Sequence, residues 1–128
     1  MIFKTGEIEA QWNSDKVSKK LKDIIKMGEE YSLIEFGQEL TITELIRTQE
    51  EQDRIYGDSE NYQINPWPSV HQFGRGADLR VRDFTKEQID KLTTFFNLIT
   101  YDSNRSNKKT CLVHNVGQGL HFHIQIKA

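Results

Sequence analysis

Apolar and polar residues alternate along the closing stretch of the chain. Leu120, Phe122, Ile124 and Ile126 share one face of an extended segment, and His121, His123 and Gln125 share the other. The apolar face reads as core, so the histidine face looks into a cleft or into water. Thr110 to His114 reads as a second strand, and the turn between them holds Gly117 and Gly119. The pattern therefore predicts a C-terminal β-hairpin.

Helical spacing appears twice. Val17, Leu21, Ile24 and Ile25 recur on one side with lysines on the other, which predicts a helix near 14–27. Ser14 is a good N-cap for it and Gly28 helps to end it. Thr85 with Gln88 forms a capping box, and Ile89, Leu92, Phe96 and Ile99 then supply the buried face of a helix near 85–100.

Shorter segments complete the outline. Leu33 to Phe36 reads as a short strand that Gly37 breaks, and Leu40 to Ile46 as another. Thr48 with Glu51 predicts a helix through Tyr56. Gly57 to Pro68 is a polar loop held extended by Pro66 and Pro68, of a length that suits the wall or lid of a site. Met1 to Trp12 is mixed, a short strand or an ordered arm. The expected fold class is α+β, one domain over 1–128, with a central antiparallel sheet and helices packed on one side.

Composition narrows the function classes. A chain of 128 residues is long enough to bury a core as one domain. The formal net charge is −2 and no basic run of five occurs, so nucleic acid is not an expected partner. No segment approaches the roughly 20 apolar residues of a membrane span, and no apolar stretch of signal-peptide length opens the chain. Cytoplasmic synthesis, no membrane partner and a monomer are the expectations. Cys111 is the only cysteine, which excludes an intrachain disulfide and fits a reducing compartment.

The candidate chemistry lies in Ser69-Val70-His71-Gln72-Phe73-Gly74-Arg75-Gly76-Ala77-Asp78. Imidazole and carboxylate are good ligands for zinc, and glycines between them let the backbone turn so that both aim at one point. The closing strand adds His121 and His123 on its non-core face. Two histidines and one aspartate with an open fourth position describe a catalytic zinc site. Which of the pair is the ligand is open on spacing alone. His114, on the neighbouring strand, either supports the ligands or is exposed. Trp67 is either a plug over the core or a substrate contact. Arg47 falls at the junction of a strand and a helix, where a side chain can point over the end of a sheet.

The set resembles the zinc D-alanyl-D-alanine carboxypeptidases and L-alanyl-D-glutamate endopeptidases, which share a fold with the hedgehog signalling domain. Ser69-x-His71-x-x-Gly74-x-Gly76-x-Asp78 is similar to their S-x-H-x-x-G-x-A-x-D signature, with Gly76 in place of alanine. Thr41 to Thr48 resembles the family's strand followed by Arg-Ser/Thr, and His121 to Ile126 resembles its closing strand. The likeness spans about residues 40 to 126.

The resemblance implies zinc on His71, Asp78 and His123, with His121 assisting the activated water. It implies that Arg47 holds substrate or transition-state charge. Ser69 and Trp67 are candidate substrate contacts, and His114 and Gln118 are candidate supports behind the ligands. Many members carry Glu or Asp three positions before the last ligand. Here those places hold Leu120, counted from His123, and Gln118, counted from His121. Either His121 serves as the base, or the chain binds without efficient turnover. Bound metal would make water a nucleophile near neutral pH and polarise an amide carbonyl. The implied activity is hydrolysis of peptidoglycan stem peptides by a zinc metallopeptidase of the size seen in phage lysins (endolysins), acting on the cell wall after release. The competing implication is a metal-containing peptidoglycan-binding or structural module of the same fold.

Overall fold

The computed structural model of the protein describes residues 1–46, 74–98, 109–115 and 119–126. Within them lie β1 (Ile2–Phe3), α1 (Gly6–Trp12), α2 (Lys19–Phe36), β2 (Thr41–Glu44), β3 (Gly76–Arg80), α3 (Lys86–Leu98), β4 (Cys111–Asn115) and β5 (Leu120–Gln125). The helix expected at 48–56 and the loop at 57–68 fall outside the described residues.

The strands form one sheet in the order β1-β2-β3-β5-β4. Three pairings are antiparallel, but β1 runs parallel to β2. The class is α+β as expected, while the sheet is mixed rather than antiparallel throughout. The parallel pair arises because α1 and α2 carry the chain back across the sheet before β2 begins. A crossover of that kind returns a strand in the same direction, whereas a hairpin reverses it.

Two local expectations are corrected. Leu33 to Phe36 is the last turn of α2, not a strand. Gly28 does not end the helix, which runs on to Phe36, and a Cβ at Gly28 would overlap the ring of Phe96. The glycine is a point of close approach between α2 and α3. The helix stops at Gly37, whose φ of 68° is left-handed and whose N–H reaches the carbonyl of Leu33 at 3.0 Å. Ser14 does not start α2 either. Its hydroxyl donates to the Gln11 carbonyl at 2.6 Å and closes α1, while Ser18 Oγ caps α2 by accepting from the N–H of Leu21. The Thr85/Gln88 capping box forms as read, with reciprocal contacts of 3.0 and 3.2 Å.

Leu21, Ile24 and Ile25 of α2 and Leu92 and Phe96 of α3 pack into one cluster with Ile42, Leu79, Phe122 and Ile124 of the sheet. Each such side chain removed from water contributes about 1.5–3 kcal/mol. Leu120 departs from the alternation, since it is 54 % exposed at the start of β5. At the sheet edge, Asn97 of α3 serves both backbone groups of Cys111. It donates to the carbonyl at 3.1 Å and accepts from the N–H at 2.8 Å. One side-chain amide thus takes the place of a further strand. No helix of the described residues is long and apolar enough to cross a membrane.

Candidate functional site

The site is built on the two central strands. Between β3 and β5, Gly76 pairs with Gln125, Asp78 with His123, and Arg80 with His121. Residues two apart along a strand share a face, so Asp78, Arg80, His121, His123 and Gln125 stand together opposite the hydrophobic cluster. Asp78 is 3 % exposed, His121 7 % and His123 9 %, so this is an enclosed polar site rather than a wet surface. Gly74 sets the entry to β3. Its φ is 68°, a Cβ would collide with the Lys16 carbonyl, and its own carbonyl accepts from Ser18 N–H at 2.9 Å. One glycine of the motif therefore anchors β3 to the segment before α2.

Neighbouring groups orient both imidazole rings. The Gln125 side-chain amide donates from Nε2 to the Lys109 carbonyl at 2.9 Å, so its Oε1 turns to His123. That oxygen lies 3.3 Å from His123 Nε2, so this nitrogen faces an acceptor. His123 Nδ1 is left facing Asp78 Oδ1 at 3.1 Å. In His121, Nδ1 lies 3.1 Å from the Gly119 carbonyl and must be the donor. Its Nε2 faces the same Asp78 Oδ1 at 3.5 Å. Two ring nitrogens are thus aimed at one buried carboxylate oxygen.

Imidazole and carboxylate are donor types that suit zinc. Two ligands at about 2.0–2.1 Å from a tetrahedral zinc stand about 3.3 Å apart. The 3.1 and 3.5 Å separations bracket that spacing. A hydrogen-bonded second ring nitrogen, here on Gly119 and Gln125, is also the usual way of orienting a ligating histidine. Among the described residues no group of three or more His, Cys, Asp or Glu is placed so that it could hold a metal ion.

A cleft of ≈ 260 Å³ opens beside this cluster. Among the described residues, Lys4, Thr43, Asp78, Arg80, Arg82, Leu120 and His121 line it. Thr43 reaches across from β2, its hydroxyl donating to the Asp78 carbonyl at 3.3 Å.

Of the residues singled out in the sequence, Asp78, His121 and His123 are brought together. His114 stands in β4 as the register partner of His121. Arg47, Trp67, Ser69, His71 and Gln118 lie outside the described residues. Sequence reasoning missed Gln125, which orients His123, and Lys4, Arg80 and Arg82 in the cleft. Arg80 had a signal: it lies two positions after Asp78 in a strand, hence on the same face. Lys4 had none, because only the β1–β2 pairing brings it near.

No protein-family model matches the chain, and no curated protein matches it.

Proposed function

We propose that this chain is a zinc-dependent peptidase of the hedgehog/DD-peptidase fold that cleaves peptidoglycan stem peptides. The observation that carries the reading is the convergence of His121 Nε2 and His123 Nδ1 on Asp78 Oδ1, in a chain whose Asp78 ends the S-x-H-x-x-G signature. In this reading His71, Asp78 and His123 hold the zinc, which supplies Lewis acidity toward an amide carbonyl.

The remaining roles fall to the chain's own side chains. Gln125 holds the His123 ring through Nε2, so that its other nitrogen stays turned to Asp78. The Gly119 carbonyl does the same for His121 through Nδ1. His121 takes and returns the proton at Nε2, because no carboxylate occupies position 118 or 120. Arg47 pairs with substrate carboxylate or developing oxyanion charge, and Ser69 and Trp67 border the peptide. Burial of the aspartate–histidine cluster keeps competing water away and strengthens each electrostatic contact.

The missing carboxylate favours one second reading, a peptidoglycan-binding module of the same fold with weak turnover. Incubating the purified, zinc-supplemented chain with cell-wall fragments separates the two. New free amino or carboxyl ends are the expected result. Retention on the wall with no new ends would leave only the binding module.

A further inference from the structure

The cleft beside Asp78 and His121 has a charge that the chain as a whole does not. The formal net charge is −2, yet three of the seven described residues lining the cleft are Lys4, Arg80 and Arg82. Among the described residues none of these three forms an ion pair with a carboxylate. Asp78, the one carboxylate among the described lining residues, is already faced by two imidazoles. Bringing three cations to one concavity is unfavourable by itself, and it concentrates positive potential where low-dielectric walls focus the field.

The fold dictates this placement. Arg80 is the register partner of His121 and shares its face. Arg82 follows two positions later, beyond the end of β3. Lys4 arrives from the other side, because its N–H bonds the Ile42 carbonyl at 2.9 Å and so extends β1 along β2. Leu120, 54 % exposed, supplies an apolar wall. At ≈ 260 Å³ the space lies below the roughly 300–1,000 Å³ of pockets that enclose drug-sized ligands, which suits one charged portion of a chain.

We propose that this cleft is an anion subsite in which Lys4, Arg80 and Arg82 hold a carboxylate of the peptide substrate, with Leu120 against the adjoining alkyl group. The identity of the ligand rests on the peptidase reading. Arg80 and Arg82 present planar forks suited to a carboxylate, and Lys4 adds a point charge. A carboxylate seated there lies next to His121, so the subsite would fix which peptide bond reaches the cluster. It adds to the role assigned to Arg47 and does not replace it.

The test is calorimetric binding of a stem pentapeptide ending in D-alanyl-D-alanine to the full chain, beside the same peptide with both carboxylates converted to amides. Turnover is followed in parallel. The acid form is expected to bind about tenfold tighter than the diamide, with the advantage shrinking at high salt. Arg80→Gln and Arg82→Gln should each remove most of that advantage, and Lys4→Gln a smaller part. Lys20→Gln, an equal charge change on the exposed side of α2, should remove none. Lys4 and Arg82 are exposed, so their variants test the cleft without disturbing the core. Equal binding of acid and diamide, or no binding of either, overturns the subsite. So does wild-type affinity in all three cleft variants. If the carboxylate preference and its losses appear without hydrolysis, the subsite stands and the peptidase reading falls. If hydrolysis proceeds with KM unchanged in all three variants, the reverse holds.

Discussion

Asp78 and His123 stand opposite one another on the two central strands, with Oδ1 and Nδ1 3.1 Å apart. The contact joins residues 45 positions apart in the chain. It ties the glycine-rich signature to the closing hairpin, and the predictions about the site turn on it.

Metal content is the first of these. The purified chain should carry about one zinc, as a single three-ligand site requires. Asp78→Ala and His71→Ala should each lose most of it, read by elemental analysis after dialysis. Full occupancy in either variant removes that residue from the ligand set.

The two histidines of β5 are separated by a paired measurement. His123→Ala should lose zinc and activity together. His121→Ala should keep zinc and lose turnover by about 10²–10⁴-fold, the usual worth of a general acid–base group. Both ring nitrogens face Asp78, so the opposite outcome is equally readable: zinc lost from His121→Ala and kept by His123→Ala exchanges the two roles. It would also place Gln118, three residues before His121, where the zinc peptidases that the sequence resembles carry the catalytic carboxylate. Full activity in both variants against a stem peptide removes the pair from catalysis.

Gly28→Ala tests the contact between α2 and α3. Alanine favours a helix interior over glycine by about 1 kcal/mol. Here the new methyl would overlap the Phe96 ring, and overpacking of that kind costs about 1–3 kcal/mol. The urea midpoint should fall, and Phe96→Leu in the same chain should recover part of the loss. A midpoint at or above that of the wild type would show that the helices separate freely.

Cys111 offers a check on burial. Its thiol is pushed up from 9.0 to about 12 by burial, partly offset by a hydrogen bond with Thr93. A folded value above the unfolded one means that the neutral thiol's contribution is complete below the unfolded pKa and is lost as pH rises toward the folded value. The difference in unfolding midpoint between the wild type and Cys111→Ala should therefore be constant below about pH 9 and shift against the wild type as pH rises between 9.0 and about 12. Native protein should also resist thiol alkylation until it unfolds. Rapid labelling of the folded chain would contradict the burial.

Much of this architecture is local physics that a sequence carries openly. Alternation along residues 120–126 placed Phe122 and Ile124 in the core and the two histidines on the other face, because side chains of a strand alternate with period two. The Thr85/Gln88 box marked the start of α3 because both partners lie within one helical turn. Tertiary structure decided the rest. Gly28 reads as a helix terminator until Phe96 is seen against it, and Leu33 to Phe36 reads as a strand until Gly37 is seen closing the helix. The sheet is mixed because α1 and α2 lie between β1 and β2, and no alternation of apolar residues records strand direction. The same pairing brings Lys4 to Arg80 and Arg82. A lysine at position 4 shows nothing of that in sequence, because the cleft exists only once four strands from distant parts of the chain lie side by side.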